Sequence, residues 1–332
     1  MIKQAPSIYE SFNARTLTNE QLCTSFIISE DFQELASTNH TIMIGPRGSG
    51  KTTLVRMLQV ETLDIWNDPT AQSYRDSVSF SGVFIPTDRF WKQQYENIKS
   101  NSKDNKALEA LLLSTFIYHA LERLVSTLEY RLKRSKLRFK PIEISKIDES
   151  ELIVELADLW MVKPKIASIR SLEVSITSKK KEIIDYISFF QYSQGLPGAP
   201  PSTISGDIVS ILGSSVRIIN TFINERGHKW AFLFDELELA PDEMIQPLVN
   251  AMRGGPEDLI FKLSLSPYHK RLSVTKDADS SMNNQDLSFI DLTTKSTKSG
   301  LDFSRRLCES IFHKNGLGGD LAEYFVNPKA IN

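Results

Sequence analysis

Cysteine is scarce in this chain. Of 332 residues only Cys23 and Cys308 are cysteines, far apart and without metal-ligand spacing. That excludes a disulfide framework or a cysteine zinc site as the basis of the fold, and it suits a reducing compartment. Long apolar runs are missing too, and nothing approaches the roughly 18 residues of a membrane span. The opening "MIKQAPSIYESFNART" holds no apolar core of signal-peptide length. Charge of one sign is also lacking: the net charge is −2, so any footprint for nucleic acid must be local. The five histidines (His40, His119, His228, His269, His313) are scattered, with no nucleophile signature and no repeat. His119 falls in an apolar helical pattern, where a packed histidine is expected rather than a ligand. These absences predict a soluble, cytoplasmic protein without a membrane partner, built as one large domain or two modest ones.

What is present concentrates in "TIMIGPRGSGKTTLVRML", residues 41–58. Gly45, four residues, then Gly50, Lys51 and Thr52 match the phosphate-loop pattern. Thr41 to Ile44 reads as a buried parallel strand. "KTTLVRMLQVETL" has helical apolar spacing at Leu54, Met57, Leu58 and Leu63. In strand–loop–helix order, backbone N–H groups of the loop and the helix N-terminus can hold phosphate oxygens. The binding set is Gly45, Pro46, Arg47, Gly48, Ser49, Gly50, Lys51, Thr52 and Thr53. Lys51 should reach the β- and γ-phosphates of ATP, and the Thr52 hydroxyl should ligate Mg²⁺.

Such a loop needs an acid on a neighbouring strand. "WAFLF" is a continuous apolar strand that ends at Asp235, the expected second metal ligand. Open parallel sheets bind ligands at the carboxyl ends of their strands, so Asp235 should face Thr52. Glu236 follows and is the candidate base for the attacking water. Glu238 reads better as the start of the next helix than as a site residue. Further strands are expected over Phe80 to Ile85, ending near Thr87 and Asp88, and over Asp258 to Pro267. Ser264 or Ser266 at the end of the latter could contact the γ-phosphate, although serines there are more often turn formers.

Taken together, "FNARTLTNEQLCTSFIISEDFQELASTNHTIMIGPRGSGKTTLVRML", "FLFDELELAP" and "LIFKLSLSPY" resemble the origin-recognition-complex-like branch of AAA+ ATPases, in its bacterial form. The resemblance covers the arm, the ATPase strands and the region after the acidic pair, but not residues 96–204. It implies an α/β P-loop fold, with a parallel sheet flanked by helices. It implies that Phe26 and Ile27 cover the adenine and that Ser264 or Ser266 takes a polar sensor position. It further implies an arginine supplied by a neighbouring subunit. Arg253 is the first candidate for this catalytic role, and Arg305 and Arg306 are candidates for it or for a lid sensor. Homo-oligomers or a partner-protein assembly follow from that implication.

Two departures stand out. The whole stretch 52–234 separates the loop lysine from the acid. Most of it reads as long helices, namely Asn105 to Arg134, "DESELIVELADLWMV" and "ASIRSLEVSITSKKKEIIDYISFF". The expected organisation is an N-terminal arm (1–38), a first ATPase part (39–95), a helical insertion (96–204), a second ATPase part (205–300) and the start of a helical lid (301–332). No winged helix fits after Gly300, so either this version lacks one or the chain is a fragment. Within the insertion, Arg131 to Lys140 holds six basic residues in ten, and Ser178 to Glu182 adds another basic cluster. Either could contact nucleic acid, a partner protein or a second copy of the chain, or form the solvated face of a helix. The expected function is a Mg-ATP-dependent switch in a DNA-linked or anti-phage defence assembly. The alternative is an ATP-bound scaffold with little turnover.

Overall fold

The computed structural model describes residues 14–88, 90–101, 106–133, 139–192, 199–204, 207–267, 287–293, 305–306 and 308–309. Five strands form one sheet: β1 (His40–Ile44), β2 (Phe80–Pro86), β3 (Lys229–Asp235), β4 (Leu259–Leu265) and β5 (Leu287–Asp291). Their spatial order is β2-β3-β4-β1-β5, and every neighbouring pair is parallel. The fold is the P-loop α/β sheet that the strand–loop–helix pattern predicts. β5 is an addition, since the short "LSFID" stretch carries too little apolar pattern to stand out in the sequence.

Alternation along the strands divides the core into two layers. Met43, Ala231, Leu233, Ile260 and Ile290 point into one cluster. There they meet α1 (Asn19–Ser25), α2 (Glu30–Leu35), α3 (Lys51–Met57), α4 (Val60–Ile65) and α5 (Ala71–Ser77). Ile42, Ile44, Phe232, Phe234 and Phe261 point the other way. That face is filled by the helices between β2 and β3: α6 (Phe90–Asn101), α7 (Lys106–Lys133), α8 (Lys146–Leu159), α9 (Ile169–Tyr192) and α10 (Ile208–Phe222). The helix α11 (Asp242–Ala251), after β3, joins the same cluster. The stretch read as an insertion thus shares one continuous core with the sheet.

Two local readings are corrected. The helix after the phosphate loop is not continuous through Leu63. It stops at Leu58, and Gln59 is extended before α4 begins. The Gln59 amide donates to Thr62 Oγ1 at 2.6 Å and to Asn19 Oδ1 at 2.8 Å, which fixes the turn against α1. Arg131, counted among the surface basic residues, is 0% exposed. Its guanidinium donates to both carboxylate oxygens of Glu225 at 2.7 and 2.9 Å and stacks on Trp230, 5.2 Å from the ring centre. Residues 134–138 of that basic run lie outside the described residues. In the second basic cluster, Lys179 pairs with Glu182 at 2.8 Å, Lys180 with Glu122 at 2.7 Å, and Lys181 with Asp185. No described helix is long and apolar enough to cross a membrane.

Candidate functional site

The loop after β1 turns through two glycines with left-handed backbone, Gly48 at φ +83° and Gly50 at φ +90°. A side chain at either position would be strained. Gly50 caps α3, so the helix starts at Lys51 and its first N–H groups face the loop. The Lys51 ammonium donates to the carbonyl oxygens of Gly45 and Pro46, the latter at 3.1 Å. Burial lowers its pKa, opposed by the carboxylates of Glu238 and Asp235. Ser49 Oγ is buried in the loop without a hydrogen-bond partner. Pro46, Arg47 and Gly48 are exposed, and Thr53 is half-buried.

Three elements meet at Asp235. The strand β3 ends there, and the carboxylate is 2% exposed. Thr52 Oγ1, from α3, donates to Oδ2 at 2.7 Å, and Ser264 Oγ, from β4, donates to Oδ1 at 2.9 Å. Burial raises the Asp235 pKa, while these two hydrogen bonds and then the charges of Arg15 and Lys51 pull it down. Of the two serine candidates, Ser264 is therefore the one joined to the acid, as its hydrogen-bond donor. Glu236, the next residue, sits in left-handed backbone at φ 57° and ψ 40°, uncommon for a residue with a side chain. Its carboxylate forms an ion pair with Arg15 of the arm.

The donor set fits a phosphate-bound magnesium ion. Mg²⁺ takes hard oxygen ligands and is usually held by one or two protein groups plus substrate phosphates. Thr52 and Asp235 supply one hydroxyl and one carboxylate side by side. Among the described residues there is no cluster of three or more histidine, cysteine or acidic side chains, so phosphate and water would have to complete the shell. Ser49 Oγ is a further unspent polar group in the loop.

The remaining candidates lie apart from this corner. Arg253 is exposed in the turn after α11. The helix runs back from the end of β3 to the start of β4, so Arg253 sits at the opposite end of the sheet from Asp235. It could serve only the site of a neighbouring copy. Arg305 pairs with Glu309 at 2.9 Å, one helical turn on, and Arg306 Nη1 lies 3.5 Å from the Ile28 carbonyl oxygen. The rest of the expected lid lies outside the described residues, apart from Cys308. Phe26 packs edge-on against Phe32 and Trp66, with centroids 4.8 and 5.5 Å away, so its ring is committed to that cluster. Ile27, next to it, is half-buried. Thr87 and Asp88 do border the cavity beside Asp235. Glu238 stands in a short 3₁₀ turn with Oε2 buried and unpaired. It thus lies in the short helix that follows the strand, as expected, and its charge also opposes the lowering of the Lys51 pKa by burial.

Three arginines near the site escaped the sequence reading. Arg15 comes from the arm. Arg56 lies four residues after Thr52 on the same face of α3, a spacing that could have flagged it. It donates to the carbonyl oxygens of Ala14 and Leu17 and, at 2.6 Å, to Asn19 Oδ1, clasping the arm to the phosphate-loop helix. Arg123 comes from α7 and has no local signal.

None of the curated proteins or solved structures compared matches the chain. One family model, described as ORC-CDC6-like, matches residues 7–332 and so runs through 96–204 as well as the motifs. With its phosphate loop, its Asp-Glu strand end and a parallel sheet of AAA+ type, the chain belongs to the ORC-CDC6-like family.

Proposed function

We propose that the protein binds Mg-ATP at this corner and hydrolyses it slowly, as a nucleotide-dependent switch. The observation that carries the reading is the buried meeting of Thr52, Asp235 and Ser264 behind the phosphate loop, with Lys51 at its side. Phosphate oxygens would replace the carbonyls now accepting from Lys51, and Thr52 with Asp235 would hold the metal. Bound there, Mg²⁺ neutralises phosphate charge. The Glu236 carboxylate takes a proton from water as the water oxygen bonds to the γ-phosphorus. The bond from that phosphorus to the β–γ bridging oxygen breaks, and ADP and phosphate form.

Arg15 supports the switch. As long as its guanidinium holds Glu236, the carboxylate is occupied and is not free to take up a water. The arm that carries Arg15 is tied to α3 through Arg56, so arm position and the availability of the Glu236 carboxylate are linked. The same ion pair favours a second reading, an ATP-bound scaffold that turns over only when a partner moves the arm. A homo-oligomer would allow Arg253 to serve a neighbour. A DNA-linked role has less support now that Arg131 and the 178–182 cluster are charge-paired.

Titration of Mg-ATP into wild type and Lys51→Ala tests the binding step. The expected result is a loss of affinity of about a hundredfold or more, roughly 2.8 kcal/mol, with an unchanged melting temperature. Equal affinity in the two proteins would remove the site from this corner.

A further inference from the structure

The Thr52–Asp235–Glu236 corner forms one wall of a cavity of about 500 Å³. It is bordered by α3, by α7, by the end of β2 and by the arm. Three guanidiniums line it, those of Arg15, Arg56 and Arg123. Arg15 is engaged with Glu236, and Arg56 spends its donors on the arm. Arg123 is different. Its Nε donates to the Phe84 carbonyl oxygen at 3.0 Å on β2, and its Nη groups make no hydrogen bond among the described residues. Arg56 and Arg123 are close enough that Arg123 is, after burial, the main cause of the lowered Arg56 pKa. Like charges brought together in this way are stabilised by an anion between or beside them.

A second observation is independent of charge. Thr87 follows β2, borders the cavity and is 9% exposed, and its hydroxyl is buried without a hydrogen-bond partner. An unspent buried hydroxyl costs free energy unless a ligand or water takes it up. The acids on the wall away from the corner, Glu61 and Asp88, are each engaged in contacts of their own.

We propose that this cavity is a binding site for a phosphate-class oxyanion, held by the Arg123 guanidinium and the Thr87 hydroxyl. Its natural occupant is the phosphate formed at the adjoining corner, retained there before release. The site rests on the hydrolase reading for its occupant but not for its chemistry. Planar guanidinium forks suit the oxygens of a tetrahedral oxyanion, and a hydroxyl adds a directional donor.

The test uses the full chain. Mg-ADP is titrated first, to fill the phosphate loop. Inorganic phosphate is then titrated into the saturated protein at fixed ionic strength, with AMP as a second arm. Phosphate is expected to bind wild type, with affinity about tenfold or more lower in Arg123→Gln and several-fold lower in Thr87→Val. Mg-ADP affinity should be unchanged in Arg123→Gln. The glutamine keeps a donor for Phe84, and Thr87→Val carries the test alone if Arg123→Gln does not fold. Phosphate affinity unchanged in the folded variants, or no phosphate binding at millimolar concentration, overturns the proposal. Tighter binding of AMP than of phosphate overturns the assignment to released phosphate. Failure of Mg-ADP to bind would instead overturn the nucleotide reading, and phosphate titration of the nucleotide-free protein would still decide the cavity.

Discussion

Helices α1–α5 and helices α6–α10 cover opposite faces of the same sheet in different ways. The first face has a polar seam. Arg56, Gln59 and Asn19 join α3 to the arm, and Thr52, Asp235 and Ser264 close the corner above it. The second face is a broad apolar layer, from Ile153 and Leu156 on α8 to Leu212, Val216 and Ile219 on α10. Its few buried polar groups are structural: Trp160 Nε1 donates to Ser215 Oγ at 2.8 Å, and Arg131 is locked to Glu225. Hydrogen-bonded ion pairs at a cleft can exchange partners when a ligand arrives, whereas a close-packed layer resists rearrangement. The polar face should therefore carry function, and the apolar face should carry stability.

That division can be broken by substitutions that separate the two properties. On the polar face, Asp235→Asn should lower Mg-dependent ATP turnover by at least about a hundredfold, because the proposed metal ligand is lost. Its melting temperature should stay level or rise, since burial makes the Asp235 charge costly in the fold; turnover assays and calorimetry on one preparation check both. On the apolar face, Arg131→Met should do the reverse. It removes the bidentate partner of the part-exposed Glu225 and the stack on Trp230 and should cost about 1–3 kcal/mol, read by urea unfolding, with Mg-ATP affinity unchanged in the folded fraction.

Acid should act through His228, which packs edge-on against Trp230. Its Nε2 shares a hydrogen bond with Ser81 Oγ at 2.9 Å. Burial, and then the charges of Arg131 and Lys140, push its pKa down to about 3. The unfolded chain protonates this group near 6.5, so it binds more protons than the fold between the two values. Stability is then lost as pH falls from about 6.5 towards 3. Unfolding at pH 7 and pH 5 should show a smaller drop in His228→Asn than in wild type. The smallest effect is expected in the arm, where Thr18 and Gln21 form a reciprocal cap on α1. Thr18→Ala should cost about 1 kcal/mol, and faster hydrogen exchange in α1 than in α10 would locate the loss.

The polar face was also the more legible in the sequence. Its chemistry is local: glycines that need left-handed backbone, a lysine and a threonine at fixed offsets, and an acid at the end of an apolar strand. The strands β1 to β4 and the long helices α7 to α9 follow from apolar runs and helical periodicity. Other features depend on distant partners. Arg131 looks like one more surface base until Glu225 and Trp230 close around it. Arg15 and Arg123 come from segments brought to the corner only by tertiary packing. The break at Gln59 carries no glycine or proline, because contacts with Asn19 and Thr62 create it. The short strand β5 is set by its pairing with β1 rather than by a strong pattern of its own.

ATP turnover by wild type and Glu236→Gln, with Mg-ATP binding measured on the same samples, tests the central claim most directly. The account predicts that both proteins bind Mg-ATP and that turnover falls by about a hundredfold to ten-thousandfold in the variant, as loss of a general base implies. Equal turnover in the two proteins would contradict it.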